Sequence, residues 1–174
     1  MDVLETALEV IDLRSFSNLW YWIAIAALWS SVSHWVLGVP HDMIQRARRE
    51  GGEAQRDVED LARININRLL HVVDGGALML VALAAFWLST LGLLAFYYDV
   101  EFAQAVFFLF LPLMLVVWVS VRSCRKIVAE GGEGDVLLRR LTIHRRTVQV
   151  IGMISITVTA FYGTWQNLSV SILN

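Results

Sequence analysis

Charge is laid out along this chain in blocks. Thirteen of its fourteen lysines and arginines fall in two short segments, Arg46 to Arg68 and Arg122 to Arg146, and each segment separates two long uncharged runs. Ser15 to His41, Gly75 to Tyr98, Phe102 to Val121 and Thr147 to Asn174 contain no Asp, Glu, Lys or Arg. Each reaches the roughly 20 residues that an α-helix needs to cross a hydrocarbon layer about 30 Å thick. Basic residues are held on the cytoplasmic side during insertion, so the pattern predicts both basic segments inside and both termini outside.

Composition agrees with that class. A hydrophobic fraction of 57% with only two prolines, and a mean hydropathy of +0.58, fit neither a disordered chain nor an ordinary soluble domain. The expected fold is all-α: an integral membrane four-helix bundle made of two similar tandem hairpins. Residues 1–14 form an outer amphipathic helix, 15–41 the first crossing, 42–68 a cytoplasmic hairpin and 69–98 the second crossing. An outer loop at 99–101, a third crossing at 102–121, a second cytoplasmic hairpin at 122–146 and a fourth crossing at 147–172 complete a single membrane domain. Met1 to Ile11 has no basic residue and no continuous apolar stretch, so it does not resemble a cleaved signal peptide, and the first crossing is expected to stay in the mature chain.

The outer helix is read from Val3, Leu4, Ala7, Leu8 and Ile11 on one stripe, with Asp2, Glu5, Thr6, Glu9 and Asp12 opposite. Aromatic groups mark the boundaries of the crossings: Trp20, Tyr21 and Trp22, then Phe96, Tyr97 and Tyr98, then Phe161, Tyr162 and Trp165. The basic segments also hold Asp57, Glu59, Asp60, Glu130, Glu133 and Asp135, which argues against nucleic acid as a partner. Cys124 is the single cysteine and reads as a small apolar residue near a reducing compartment.

Glu50-Gly51-Gly52-Glu53 recurs as Glu130-Gly131-Gly132-Glu133, followed by Asp57-Val58 and Asp135-Val136 and then by Arg68 and Arg146. This is the basis for expecting a parallel tandem duplication. The helices should run a few turns beyond the bilayer and reverse at the glycines, which supply positive φ. Pro112 should kink the third crossing. Small-residue stripes, Ala24, Ala27, Ser31, His34, Gly38 and His41 in the first crossing and Gly152, Ser155, Thr159 and Gly163 in the fourth, should face other helices.

Histidines supply the candidate site. His34 lies on the first stripe, and His71 and Asp74 share a face where the second crossing begins. With His41 and Asp42 nearby, imidazole and carboxylate suit a transition metal, and His34 with His71 could ligate a haem. The plainer reading is structural, with His34 hydrogen-bonded to Asp74 or to a serine. A proton or substrate path is the third possibility. The residue matching His71 in the second hairpin is Gln149, and His144 belongs to the basic stretch, so the second half repeats no such pair. No phosphate-cradling loop ending in Gly-Lys-Ser or Gly-Lys-Thr, no Gly-x-Ser-x-Gly elbow and no His-Glu-x-x-His is present.

At Asp12 to Trp22 (DLRSFSNLWYW) and Ser33 to Pro40 (SHWVLGVP) the chain resembles a group of small bacterial four-helix inner-membrane proteins, some of which carry the label "component of SufBCD complex". The resemblance implies a multi-pass protein of the bacterial inner (plasma) membrane. The label implies a link to iron–sulfur cluster assembly, against which stand the one cysteine and the lack of cluster-ligand spacing. The expected function is therefore non-enzymatic: an accessory, scaffold or assembly subunit whose partners are membrane lipid, other membrane subunits or further copies of itself, with no cofactor. The alternative is a metal- or haem-binding membrane protein or a small oligomeric channel or transporter.

Overall fold

The computed structural model describes residue 16 and residues 18–172, with side chains as far as residue 168. The stripe of residues 3–11 lies outside these described residues. Helix α1, Leu19–His34, starts on Asn18, whose side chain accepts from the Trp20 amide at 3.0 Å. Strands β1, Trp35–Val36, and β2, Val39–Pro40, follow as a tiny antiparallel hairpin, and α2 covers His41–Glu50. The remaining elements are long helices: α3, Gly52–Phe96, α4, Glu101–Ala129, and α5, Gly134–Ile172.

The described chain is thus all-α in class, and three helices, α3, α4 and α5, are long and apolar enough to cross a membrane. Helix α1 is not among them. Its 16 residues rise about 24 Å, short of a hydrocarbon layer of about 30 Å. Here the structure corrects the expected continuous crossing over 15–41. Pro40 has no amide hydrogen and drives Val39 to extended backbone. Leu37 and Gly38 then turn with φ of 52° and 79°, the two positive values of a type I′ hairpin. A Cβ on Gly38 would stand 2.7 Å from the Asn65 side chain, which donates to the Gly38 carbonyl at 3.1 Å. His41 consequently opens α2 and does not end α1.

Because α4 runs unbroken through Pro112 while its counterpart is interrupted at residues 35–40, the two halves of the chain differ in build. The long helices do reverse at glycines: Gly51 and Gly52 have φ of 62° and 53°, and Gly131 and Gly132 have 91° and 65°. The bend in α3 is at Gly76, with φ −136° and ψ 19°; glycine tolerates this local departure from the helical ladder.

Among the described residues, packing divides into two cores. The larger, at the basic end, joins Val36, Val39, Ile44, Ala47, Val58, Ala62 and Ile66 to Cys124, Ile127, Leu137, Leu138 and Leu141. The smaller joins Ile25 and Trp29 of α1 to Val116, Val148 and Ile151. Long-range hydrogen bonds from two side chains, Arg48 and Glu59, tie the basic end together. Arg48 donates to Thr142 Oγ1 at 2.8 Å and to the Leu138 carbonyl at 3.2 Å. Glu59 accepts from the Gly134 amide at 2.8 Å, a carboxylate at the positive end of α5. At the other end, Phe16 N donates to Glu101 at 2.9 Å and Tyr21 OH to the Ala105 carbonyl at 3.0 Å, fixing the start of α1 beside the α3–α4 turn.

The small-residue stripe of α5 faces α1 and Phe16: Cβ atoms at Gly152 and Gly163 would meet Trp29 and Phe16 at 2.8 and 3.0 Å. The stripe expected for α1 does not mirror it. Ala24, Ala27, Ser31 and His34 are exposed, and Ile25 and Trp29 are buried in their place. Close approach needs a gap on one helix only, and the indole of Trp29 fills the one left by Gly152.

Candidate functional site

The five candidate ligands lie at the junction of the apolar and basic parts of the chain, but they do not converge. His34 ends α1 and Asp42 lies in the first turn of α2, and the hairpin between the helices brings His34 Nε2 to 3.9 Å from Asp42 Oδ1. Both side chains are largely exposed. His41 stands beside them, its Nε2 accepting from the Gln45 amide at 3.0 Å. That bond leaves the ring proton on Nδ1, which is buried with no partner among the described residues. Burial lowers the pKa of His41 below the ordinary 6.5, and the nearby Arg145, His34 and Arg48 add to the shift against the smaller pull of Asp42. Burial and the neighbouring charges thus favour the neutral imidazole.

Asp74 is turned to another use. Its Oδ1 accepts from Arg125 Nη2 of α4 at 3.0 Å, and His71, one turn earlier, is exposed. Among the described residues no three His, Cys, Asp or Glu side chains are grouped as a metal ion would need. The expected set His34, His41, Asp42, His71 and Asp74 is therefore split. The hairpin gathers the first three within reach of one another's charge, and Arg125 takes the last.

One histidine that the sequence reading passed over is built into the core. His144 of α5 is 5% exposed; its Nδ1 lies 3.2 Å from Ser123 Oγ and its Nε2 3.5 Å from Ser120 Oγ, both on α4. The signal was present in the helical spacing: Leu137, Leu141, His144, Val148 and Ile151 fall on one stripe, and all are buried. Two hydroxyls one turn apart on the facing helix satisfy the ring, which makes His144 a packed polar link between α4 and α5. Arg145, the next residue, turns the other way and donates to the Ser33 carbonyl at 3.2 Å, placing a cation at the negative end of α1.

The class defined by these observations is a helical protein with three membrane-span-like helices and a charged, cored end. Comparisons with protein-family models, with curated proteins and with solved structures found no match.

Proposed function

We propose that this chain is a non-enzymatic, multi-pass protein of the bacterial inner membrane, an accessory, scaffold or assembly subunit of a larger membrane complex, with its basic end cytoplasmic. The observation that carries this reading is the bareness of α3. No residue in its most apolar 18-residue stretch is buried, and Leu78 and Met79 are 85% and 76% exposed. A bundle helix normally gives one face to its neighbours and one to lipid. This stretch is at most half-buried against its own chain, at Ala84, Leu88 and Gly92 for instance, and open space surrounds Gly75 and Gly76. In lipid, helices associate through close packing at small residues, and Ala82, Ala85 and Ser89 supply them along α3. The larger core meanwhile anchors α3 rigidly at its basic end, as a subunit presenting one helix to an assembly requires.

The test is photo-crosslinking in native membranes with a reactive residue at position 78, and at buried position 25 as control, followed by purification in mild detergent. A stoichiometric protein adduct from position 78 and not from position 25 supports the reading. Lipid-only adducts, or bound haem or metal without a protein partner, overturn it and return attention to His34, His41, Asp42, His71 and Asp74.

A further inference from the structure

A groove of about 420 Å³ runs along α4, lined by Trp118, Val121, Arg122, Arg125, Lys126 and Ala129. These positions are spaced i, i+3, i+4, i+7, i+8 and i+11, so they form a single helical face. Its chemistry changes along its length. Trp118 and Val121 close the charge-free run, and the three cations begin one residue later. The face thus crosses the level where hydrocarbon gives way to headgroups, with Arg122 Cζ 5.7 Å from the centre of the Trp118 ring.

Not all of these cations are free. Arg125 is paired with Asp74. Glu130, one turn beyond Lys126, is taken through both oxygens by Arg140. Arg122 and Lys126 enter no ion pair among the described residues, and they also line a second groove of about 170 Å³, between α4 and α5, with Arg140, Ile143 and Thr147. Two cations one turn apart, neither held in an ion pair although Lys126 acts through its charge on Glu130, beside an aromatic and aliphatic wall at the bilayer boundary, are complementary to a phosphate carrying acyl chains.

We propose that Arg122 and Lys126 hold the phosphate of an anionic phospholipid whose acyl chain lies along Trp118 and Val121. The inference rests on the reading of α4 as a membrane span. Lipid bound here would sit on the face of α4 that carries the Asp74 contact, between the chain and whatever packs on α3.

Alkaline carbonate washing of native membranes separates the two claims: a chain that washes off overturns the membrane-spanning reading itself. For a chain that stays, the full-length protein in detergent is titrated with phosphatidylglycerol and with phosphatidylcholine of the same acyl chains, and followed by native mass spectrometry. Phosphatidylglycerol should be preferred, and the preference of the unaltered chain should fall as salt rises. Arg122→Gln with Lys126→Gln should weaken phosphatidylglycerol binding roughly twenty-five-fold, about fivefold for each cation, and leave phosphatidylcholine unchanged. The charge-preserving pair Arg122→Lys and Lys126→Arg should retain it, as should Arg49→Gln with Arg56→Gln on the distant charged end. Equal binding of the two lipids, a preference indifferent to salt, or equal loss in the Arg49 and Arg56 variant overturns the site. Displacement by inorganic phosphate at the same concentration as the lipid overturns it as well, since that marks a site for the free anion.

Discussion

Arg125 Nη2 of α4 lies 3.0 Å from Asp74 Oδ1 of α3, across 51 residues of sequence. The carboxylate beside the apolar part of α3 is thus answered by a guanidinium, and a histidine-centred site would have to displace that cation. The pair also pins α4 to α3 just before the bend at Gly76, beyond which the apolar stretch of α3 lies bare. Both side chains are more than half exposed, so the coupling should be that of a surface pair, about 0.2–1 kcal/mol. A double-mutant cycle with Asp74→Ala and Arg125→Ala, read by thermal unfolding in detergent, checks it. A coupling above about 2 kcal/mol would mean that the pair is shielded from water in its membrane.

Gly152 is the contact on which the seating of α1 depends. A methyl group there would sit 2.8 Å from the indole of Trp29, and Trp29 is buried. Gly152→Ala should destabilise by about 1–3 kcal/mol through overpacking. Adding Trp29→Leu should recover part of that loss, so that the double variant is more stable than the two single effects predict together. Strict additivity would show that the two residues do not touch.

Glu59 should act as the cap of α5 from 75 residues away. Glu59→Ala leaves the Gly134 amide without its carboxylate and should cost about 1 kcal/mol. Amide exchange in the first turn of α5 should accelerate, while exchange in α4 stays as it was. Unchanged exchange at Gly134 would remove the cap from the account of this end.

Stability should fall with acid in two separate windows. The folded pKa of His41 lies below 6.5, so the unfolded chain takes up that proton first. The His41 contribution is complete above about 6.5 and declines as the pH drops below it, until the folded imidazole also charges. Glu130 is held below the usual 4.5, chiefly by its hydrogen bonds from Arg140 and then by the charge of that guanidinium. Its contribution is complete above about 4.5 and is lost as the pH falls through the lowered value. Unfolding midpoints measured from pH 8 to pH 3 should show both declines, with His41→Gln removing the first and Glu130→Gln the second. A midpoint that rises on going from pH 7 to pH 5 contradicts the assignment for His41.

His34→Ala with His71→Ala separates the two functional readings. For a scaffold or accessory subunit, the double variant should accumulate normally and keep its co-purifying partner, because His34 pairs only distantly with Asp42 and His71 is exposed. Loss of bound metal, of haem absorbance or of ion flux in a folded double variant would favour the site-bearing alternative.

What the sequence determined by itself is local. Uncharged runs of helix length, the glycines at which helices reverse, and the junction of apolar and basic character are all properties of neighbouring residues, and they were legible in hydropathy, backbone freedom and charge. The core stripe through His144 was equally written in its spacing, although the arginines on either side of it mask that periodicity with charge. The tertiary structure decided the rest. Pro40 and Gly38 permitted a break after His34, but the close seating of that hairpin turned on the Gly38–Asn65 approach and the Arg145–Ser33 cap, between residues 27 and 112 positions apart. Which face of α1 is buried turned on the gap at Gly152, and the fate of Asp74 turned on Arg125. These are non-local contacts, and a residue's own neighbours in sequence carry no information about which distant group will fill a gap or answer a charge.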